Sequence, residues 1–333
     1  MSGFGINERK TKKSEEKKIK PLQRDKLISN AFSLHSSGKI KEAADVYNFL
    51  IQKKIYDPRV FNNLGSIYSN LKQFDKAILL FDESIKKFPN SPEAYINLAN
   101  VMVIKGKSDI AKRILNKSIE LNPKYLKPYS NIAGIFVGEG NFEKAEFFLR
   151  KSLEISPKDT NTLVNLACVL KDLGNPRQAE RFLRDALEIN PKYDSALVNL
   201  GAILNELGKI DEGEQFLKKA LKINPNSPMA LNNLGNILSK KNKNKEAELF
   251  YRKAIELKSD FFLAYDNLGS LLSKQGNLIE AEKFTEKAIN YNPKFELAYV
   301  NLGSIKIDLD KLLEAEELFL GAIQINENYS YAY

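Results

Sequence analysis

Apolar side chains recur along this chain at three- and four-residue intervals, in short segments that come in pairs. Phe61, Leu64 and Tyr68 mark one segment, and Ile78, Phe81 and Ile85 mark its partner. That spacing gathers the apolar positions on one side of a helix and leaves the intervening polar residues on the other, so each segment is predicted to be an amphipathic α-helix. Gly38, Gly106, Gly140, Gly174, Gly208 and Gly276 stand between the members of a pair, where a residue tolerant of positive φ ends a helix. Pro89, Pro123, Pro157, Pro191, Pro225 and Pro293, mostly preceded by Asn, follow the second member and stop it. The pattern predicts a succession of helical hairpins.

The pairs repeat with a period of 34. Small residues occur in register at Ala31, Gly65, Ala99, Ala133, Ala167, Gly201, Gly235, Gly269 and Gly303. A second series runs through Ala43, Ala77, Ala111, Ala145, Ala179, Gly213, Ala247, Ala281 and Ala315. Two antiparallel helices approach closely only where the facing side chains are small, so these two columns are expected to set the hairpin contact. Nine repeats of 34 residues run without insertion or deletion over 24–329.

In these residues the chain resembles the tetratricopeptide repeat family: an aromatic residue or leucine at repeat position 4, Leu at 7, Gly or Ala at 8, Ala at 20 and Pro at 32. The resemblance implies an all-α, right-handed superhelical solenoid of nine antiparallel helix hairpins whose first helices line a concave groove. Departures fall at Ile55, Ser259 and Glu327 in place of Pro, at Lys72, Asn242 and Asp310 in place of Gly, and at Lys306 in place of a large apolar residue. The repeats that carry them are expected to pack less well.

Composition narrows the chemistry. The chain holds one His and one Cys, too few for a His/Cys metal site or a disulfide. His35 reads as a surface or groove residue and Cys168 as a small packing residue. Gly138-Glu139-Gly140 lacks the third glycine of a phosphate loop and falls on a hairpin turn. Acidic runs such as Glu314, Glu316 and Glu317 read as solvated helix faces. No catalytic residue, metal or cofactor is expected. Of the net charge of +9, residues 1–23 supply +4 through seven bases against three acids, and the rest is spread along the chain with both signs interleaved. Residues 1–23 read as a disordered lysine-rich leader with neither a signal peptide nor a membrane span, which places the chain in the cytoplasm by default.

One column points to a ligand. Asn63, Asn97, Asn131, Asn165, Asn199, Asn233, Asn267 and Asn301 all occupy position 6 of their repeats. Asn is an indifferent helix former, but an amide offers donors and an acceptor together, which suits the alternating C=O and N–H of an extended peptide. The column is similar to the asparagine ladder of the superhelix in O-linked N-acetylglucosamine transferases, which grips main chain, and bridging between neighbouring helices is the alternative role. Position 5, basic in family members that clamp carboxylates, reads Asn62, Ile96, Ser130, Val164, Val198, Asn232, Asp266 and Val300 from the second repeat on, so no carboxylate-clamp ligand is expected. Nucleic acid is disfavoured. The expected partner is a protein or extended peptide, anchored near Met229 or Leu263 at position 2. The chain would serve as a binding scaffold, or alternatively as the N-terminal recognition segment of a larger enzyme. Residues 330–333 repeat the opening of earlier repeats, Ala332-Tyr333 matching Ala298-Tyr299. They read as the start of a tenth repeat in a longer polypeptide, with an uncapped end open to self-association.

Overall fold

The computed structural model of the protein describes residues 21–326; the greater part of the leader, the last residues of the ninth repeat and the start of a tenth lie outside the described residues. Within them the chain forms eighteen α-helices and no strand. They are α1 (Pro21–Ser36), α2 (Ile40–Gln52), α3 (Pro58–Asn70), α4 (Phe74–Lys87), α5 (Pro92–Ile104), α6 (Ser108–Leu121), α7 (Leu126–Gly138), α8 (Phe142–Ile155) and α9 (Thr160–Asp172). They continue with α10 (Pro176–Ile189), α11 (Asp194–Glu206), α12 (Ile210–Ile223), α13 (Pro228–Lys240), α14 (Asn244–Leu257), α15 (Phe262–Lys274), α16 (Leu278–Tyr291), α17 (Glu296–Asp308) and α18 (Leu312–Ile325). Helix α1 begins at Pro21, inside the stretch read as leader, because proline's fixed φ and missing N–H suit the first helical position. Two compact units divide the chain, one ending at Ile135 and the other starting at Phe136.

Each hairpin closes over its two small residues. Ala31, Ala43, Ala77, Ala99, Ala111, Ala167, Ala179, Ala247 and Ala281 are fully buried. Where glycine stands, the space is taken by the partner helix: a Cβ added at Gly235 would lie 2.5 Å from Tyr251 Cε1, and one at Gly65 would lie 2.4 Å from Phe81 Cε1. At Gly213 it would lie 2.9 Å from the carbonyl oxygen of Gly201, so α11 and α12 meet backbone to backbone. A third small column, Ser84, Ser118, Ser152, Ala186, Ala220, Ala254 and Ala288, is also buried and escaped the sequence reading. Ala254 shows its use, packing with Leu231 of its own hairpin and with Phe261 and Ala264 of the next.

Turn residues carry the departures from the repeat pattern. Lys72, Asn242 and Asp310 sit at φ of 58°, 57° and 59°, in the left-handed conformation that glycine adopts at the matching turns. For a residue with a Cβ that conformation costs roughly 1–2 kcal/mol, while the helices on either side form as elsewhere. The expectation of poorer packing is corrected in this respect: the repeat containing Asn242 contributes Leu234, Ile237, Leu238, Ala247 and Tyr251 to the main apolar core of its unit.

Lys306 and Glu314 need a second correction. Lys306 is 7 % exposed and donates to both Glu282 and Glu314, and Lys311 reaches Glu282 at 3.1 Å. Burial opposes the Lys306 charge, but the two carboxylates outweigh it and hold the ammonium above its usual range. Glu314 is thus an ion-pair partner rather than a member of a purely solvated face. Related links join the second helices of successive hairpins in the unit that starts at Phe136. Arg184 donates to Glu180 at 2.8 Å within α10 and to Glu212 of α12 at 2.7 Å. Arg252 bonds Glu248 at 2.8 Å and Glu280 at 2.7 Å in the same register. The guanidinium carbons of Arg184 and Arg252 lie 5.8 Å and 5.2 Å from the ring centres of Phe216 and Phe284. These partly exposed contacts are worth about 0.5–1 kcal/mol each.

The fit of Gly235 to Tyr251 should be measurable. Gly235→Ala is expected to destabilise its hairpin by about 1–3 kcal/mol through overpacking. Adding Tyr251→Leu should recover much of the loss, since Ala167 and Leu183 hold the corresponding repeat positions, fully buried, in α9 and α10. Hydrogen exchange in α13 and α14 reports this; strictly additive effects of the two substitutions would show that the ring does not contact the added methyl.

Candidate functional site

In the unit that starts at Phe136 the first helices α9, α11, α13, α15 and α17 pack against one another in sequence. The second helices lie farther apart and are joined mainly by the long charged side chains described above. The first-helix side is therefore the inside of the curve in this unit. In the other unit α3 and α5 pack together in the same way.

Repeat position 6 lies on these first helices, but the asparagines are not equivalent. Asn63 donates to Tyr47 Oη at 3.1 Å, and that hydroxyl lies 3.5 Å from His35 Nδ1. Asn131 donates to Asn100 Oδ1 at 2.9 Å, joining two first helices. Asn267 donates to Asn232 Oδ1 at 2.9 Å, and Asn301 to the Asp266 carboxylate at 2.9 and 3.0 Å. Asn199 turns back to Ser195 O at 2.9 Å, and Asn233 accepts weakly from Asn232 at 3.4 Å. Asn97 and the exposed Asn165 have no hydrogen-bond partner among the described residues. Bridging between helices and an outward-facing amide thus occur in one column, and the bridged members keep a carbonyl oxygen to offer.

Most of position 5 is buried, with Ser130 and Val300 partly exposed. Ile96, Val164, Val198, Asn62, Asn232 and Asp266 are all buried between helices, so most of this column backs the face rather than lining it. Met229 at position 2 is 43 % exposed, and Leu263 is partly buried, packing against the cluster of Leu231, Ala254 and Phe261. A cavity of about 240 Å³ between α3 and α5 is lined by Ser66, Ser69, Asn70, Phe81, Asn97, Asn100 and Ile104. Cys168 is half-buried, and burial pushes its thiol above the usual range. Among the described residues no three His, Cys, Asp or Glu side chains gather as a metal would require, and no helix is long and apolar enough to cross a membrane.

Asp266 is the unusual group of this face. Only 2 % of it is exposed, and burial raises its carboxyl to about 6 against the pull of the Asn301 amide. Nothing in the sequence alone marked it beyond its place at position 5.

Paired helices closing over small residues, stacked with their first helices together, define an all-α helical-repeat solenoid. Residues 25–261 match the family model described as the cilia and flagella-associated protein 70 C-terminal domain, and residues 263–295 and 297–329 match the tetratricopeptide repeat model. The chain belongs to the tetratricopeptide repeat family, with most of its length in the group defined by that C-terminal domain. Solved structures agree at the level of fold. A tetratricopeptide repeat protein from Parabacteroides merdae is 22 % identical with a TM-score of 0.61, over 72 % of this chain and 95 % of that one. The human IFIT1 dimer with m7Gppp-AAAA is 18 % identical with a TM-score of 0.63, over 89 % and 76 %. The anaphase-promoting complex hetero-tetramer Cut9–Hcn1 is 15 % identical with a TM-score of 0.63, over 86 % and 57 %. No curated protein matches the chain by sequence.

The Asp266 environment carries a pH dependence of definite sign. A carboxyl whose folded value is raised to about 6 binds more protons folded than unfolded between its ordinary value and 6, so its contribution falls as pH rises through that window and is flat above it. Asp266→Asn, which recreates the Asn232–Asn267 pair one repeat along, is expected to stabilise the protein at pH 7 by roughly 1–3 kcal/mol. The gain should shrink below pH 5. Denaturant unfolding across pH tests this, and a gain independent of pH would show that Asp266 ionises without penalty.

Proposed function

We propose that the chain is a non-catalytic scaffold that holds a protein or peptide segment extended along its first-helix face. The observation that carries this reading is the column of position-6 amides, of which Asn97 and Asn165 have no partner among the described residues and the bridged members keep an unspent carbonyl. Helices packed about 10 Å apart would bring one amide to roughly every third residue of a strand rising about 3.3 Å per residue. Such a rung can meet main chain whatever the ligand's sequence.

Magnitudes limit what the ladder does alone. A net gain of about 0.5–1.5 kcal/mol per hydrogen bond stands against about 1–2 kcal/mol for each ligand residue ordered. Generic peptides therefore bind weakly, and partners gain affinity from side-chain anchors, for which the accessible Met229 offers an apolar contact.

The test begins with peptides selected from a random display library. Their affinity should fall on N-methylation of ligand amides and drop about tenfold or more in the triple variant Asn165→Ala, Asn199→Ala, Asn233→Ala, the sum of several lost hydrogen bonds. Asn165→Ala alone should change stability by no more than about 0.5 kcal/mol, since it breaks no intramolecular contact. Unchanged affinity in a folded triple variant, with N-methylation tolerated, would make the column purely structural.

A further inference from the structure

The ladder register exposes an inconsistency between the two units that points to a specificity site. Asn267 bonds Asn232, and Asn301 bonds Asp266, in each case from position 6 to the preceding position 5. The same register sets Asn97 against Asn62, and both are asparagine. Yet Asn62 Oδ1 is buried without any partner, on a residue only 7 % exposed, while Asn97 lines the cavity between α3 and α5 instead. The cavity wall adds Ser66, one helical turn after Asn62, then Ser69, Asn70 and Asn100. Asn100 is held in place by the donation of Asn131 to its Oδ1, which leaves its own N–H groups to the cavity.

We infer that this cavity receives a carboxamide side chain, that of a glutamine or asparagine, from the bound polypeptide. The inference rests on the scaffold reading above and names the ligand chemistry of one part of its face. The lining presents hydroxyls and amides, each able to donate and accept, and no charged group. An ammonium, guanidinium or carboxylate would lose water there and meet no opposite charge. An aliphatic side chain would leave the wall's polar groups unpaired. A sugar would want an open aromatic face to stack on, and the ring in the wall, Phe81, is almost wholly covered by its own hairpin. A carboxamide brings two donors and an acceptor together, where a hydroxyl brings a single donor, and so pairs with more of this wall of amides and hydroxyls.

The probes are five peptides, acetyl-Gly-Gly-X-Gly-Gly-amide with X as Gln, Glu, Lys, Leu or Gly, titrated into the full chain while the side-chain amide resonances of Asn70, Asn97 and Asn100 are followed by NMR. The Gln peptide should shift these resonances saturably and bind at least fivefold tighter than the other four. Asn100→Ala should remove the preference. Asn97→Asp, which places a carboxylate in the wall, should move the preference from Gln to Lys, a reversal that simple loss of folding cannot produce; the backbone amide spectrum verifies that both variants fold. Equal binding of Gln and Leu peptides, or no shift at Asn97 and Asn100, overturns the inference. If Asn165 still responds to all five peptides in that case, the main-chain reading stands without it, and if no ladder residue responds to any peptide, both fall together.

Discussion

Two helices lie only as near to each other as the side chains between them allow, and every hairpin of this chain depends on how that gap is filled. The small residues at positions 8 and 20 bring the helices together, and the residue at position 24 fills what remains. Gly65 lies against Phe81 and Gly235 against Tyr251, while Ala99 and Ala167 occur with Leu115 and Leu183. In these pairs a smaller residue on one helix meets a larger one on the other, while Gly201 meets Leu217 and Gly269 meets Thr285, so the trade of volume is not uniform along the chain. Gly213 carries the logic furthest, since the carbonyl of Gly201 stands where its Cβ would be.

Once the hairpins are fixed, their two sides diverge in chemistry. First helices touch, so their contacts are short and are made by buried apolar groups and by neutral amides such as Asn267 with Asn232. Second helices stand apart, and long side chains span the gap: Arg184 to Glu212 and Arg252 to Glu280, while Lys241, in the turn after α13, reaches back to Glu214 and Asp211 of α12. Glu214 is held down at about 2 by hydrogen bonds from Lys218 and Lys241 and by their charge. An exposed ion pair is weak singly, but repeated in register these pairs resist sliding of one hairpin on the next.

The sequence made the fold plain because periodicity is a one-dimensional property: the glycine turns, the proline stops and the two small columns are all visible in a single chain. Interactions between repeats were harder to read. The Arg184–Glu212 link needs the relative height of α10 and α12, which no local spacing reveals. Lys306 was marked as a misfit, but its remedy lies in Glu282, which belongs to another hairpin. Leu263 and Met229 share position 2, yet one packs inward and the other stands exposed, because the residues around them differ. For the asparagine column the sequence gives residue type and register, while each amide's rotamer depends on the neighbouring repeat: Ser195 captures Asn199, Tyr47 captures Asn63, and Asp266 captures Asn301.

That variation bears on how a ladder binds at all. A side-chain amide free to rotate must be ordered when it grips a ligand, and this cost falls on affinity. An amide already held by its neighbour has met that cost during folding and presents its carbonyl at a fixed angle. Asn131, Asn267 and Asn301 are of this kind, each tied through its N–H to the preceding first helix. Asn97 and Asn165 keep donors and acceptor both, at the expense of being ordered on contact. In the scaffold proposed above, a column mixing the two would combine fixed acceptors for ligand N–H groups with adaptable amides that can meet either a donor or an acceptor. On that proposal bridging and binding do not compete for the same asparagines, because a bridge made through the N–H leaves the amide oxygen unspent.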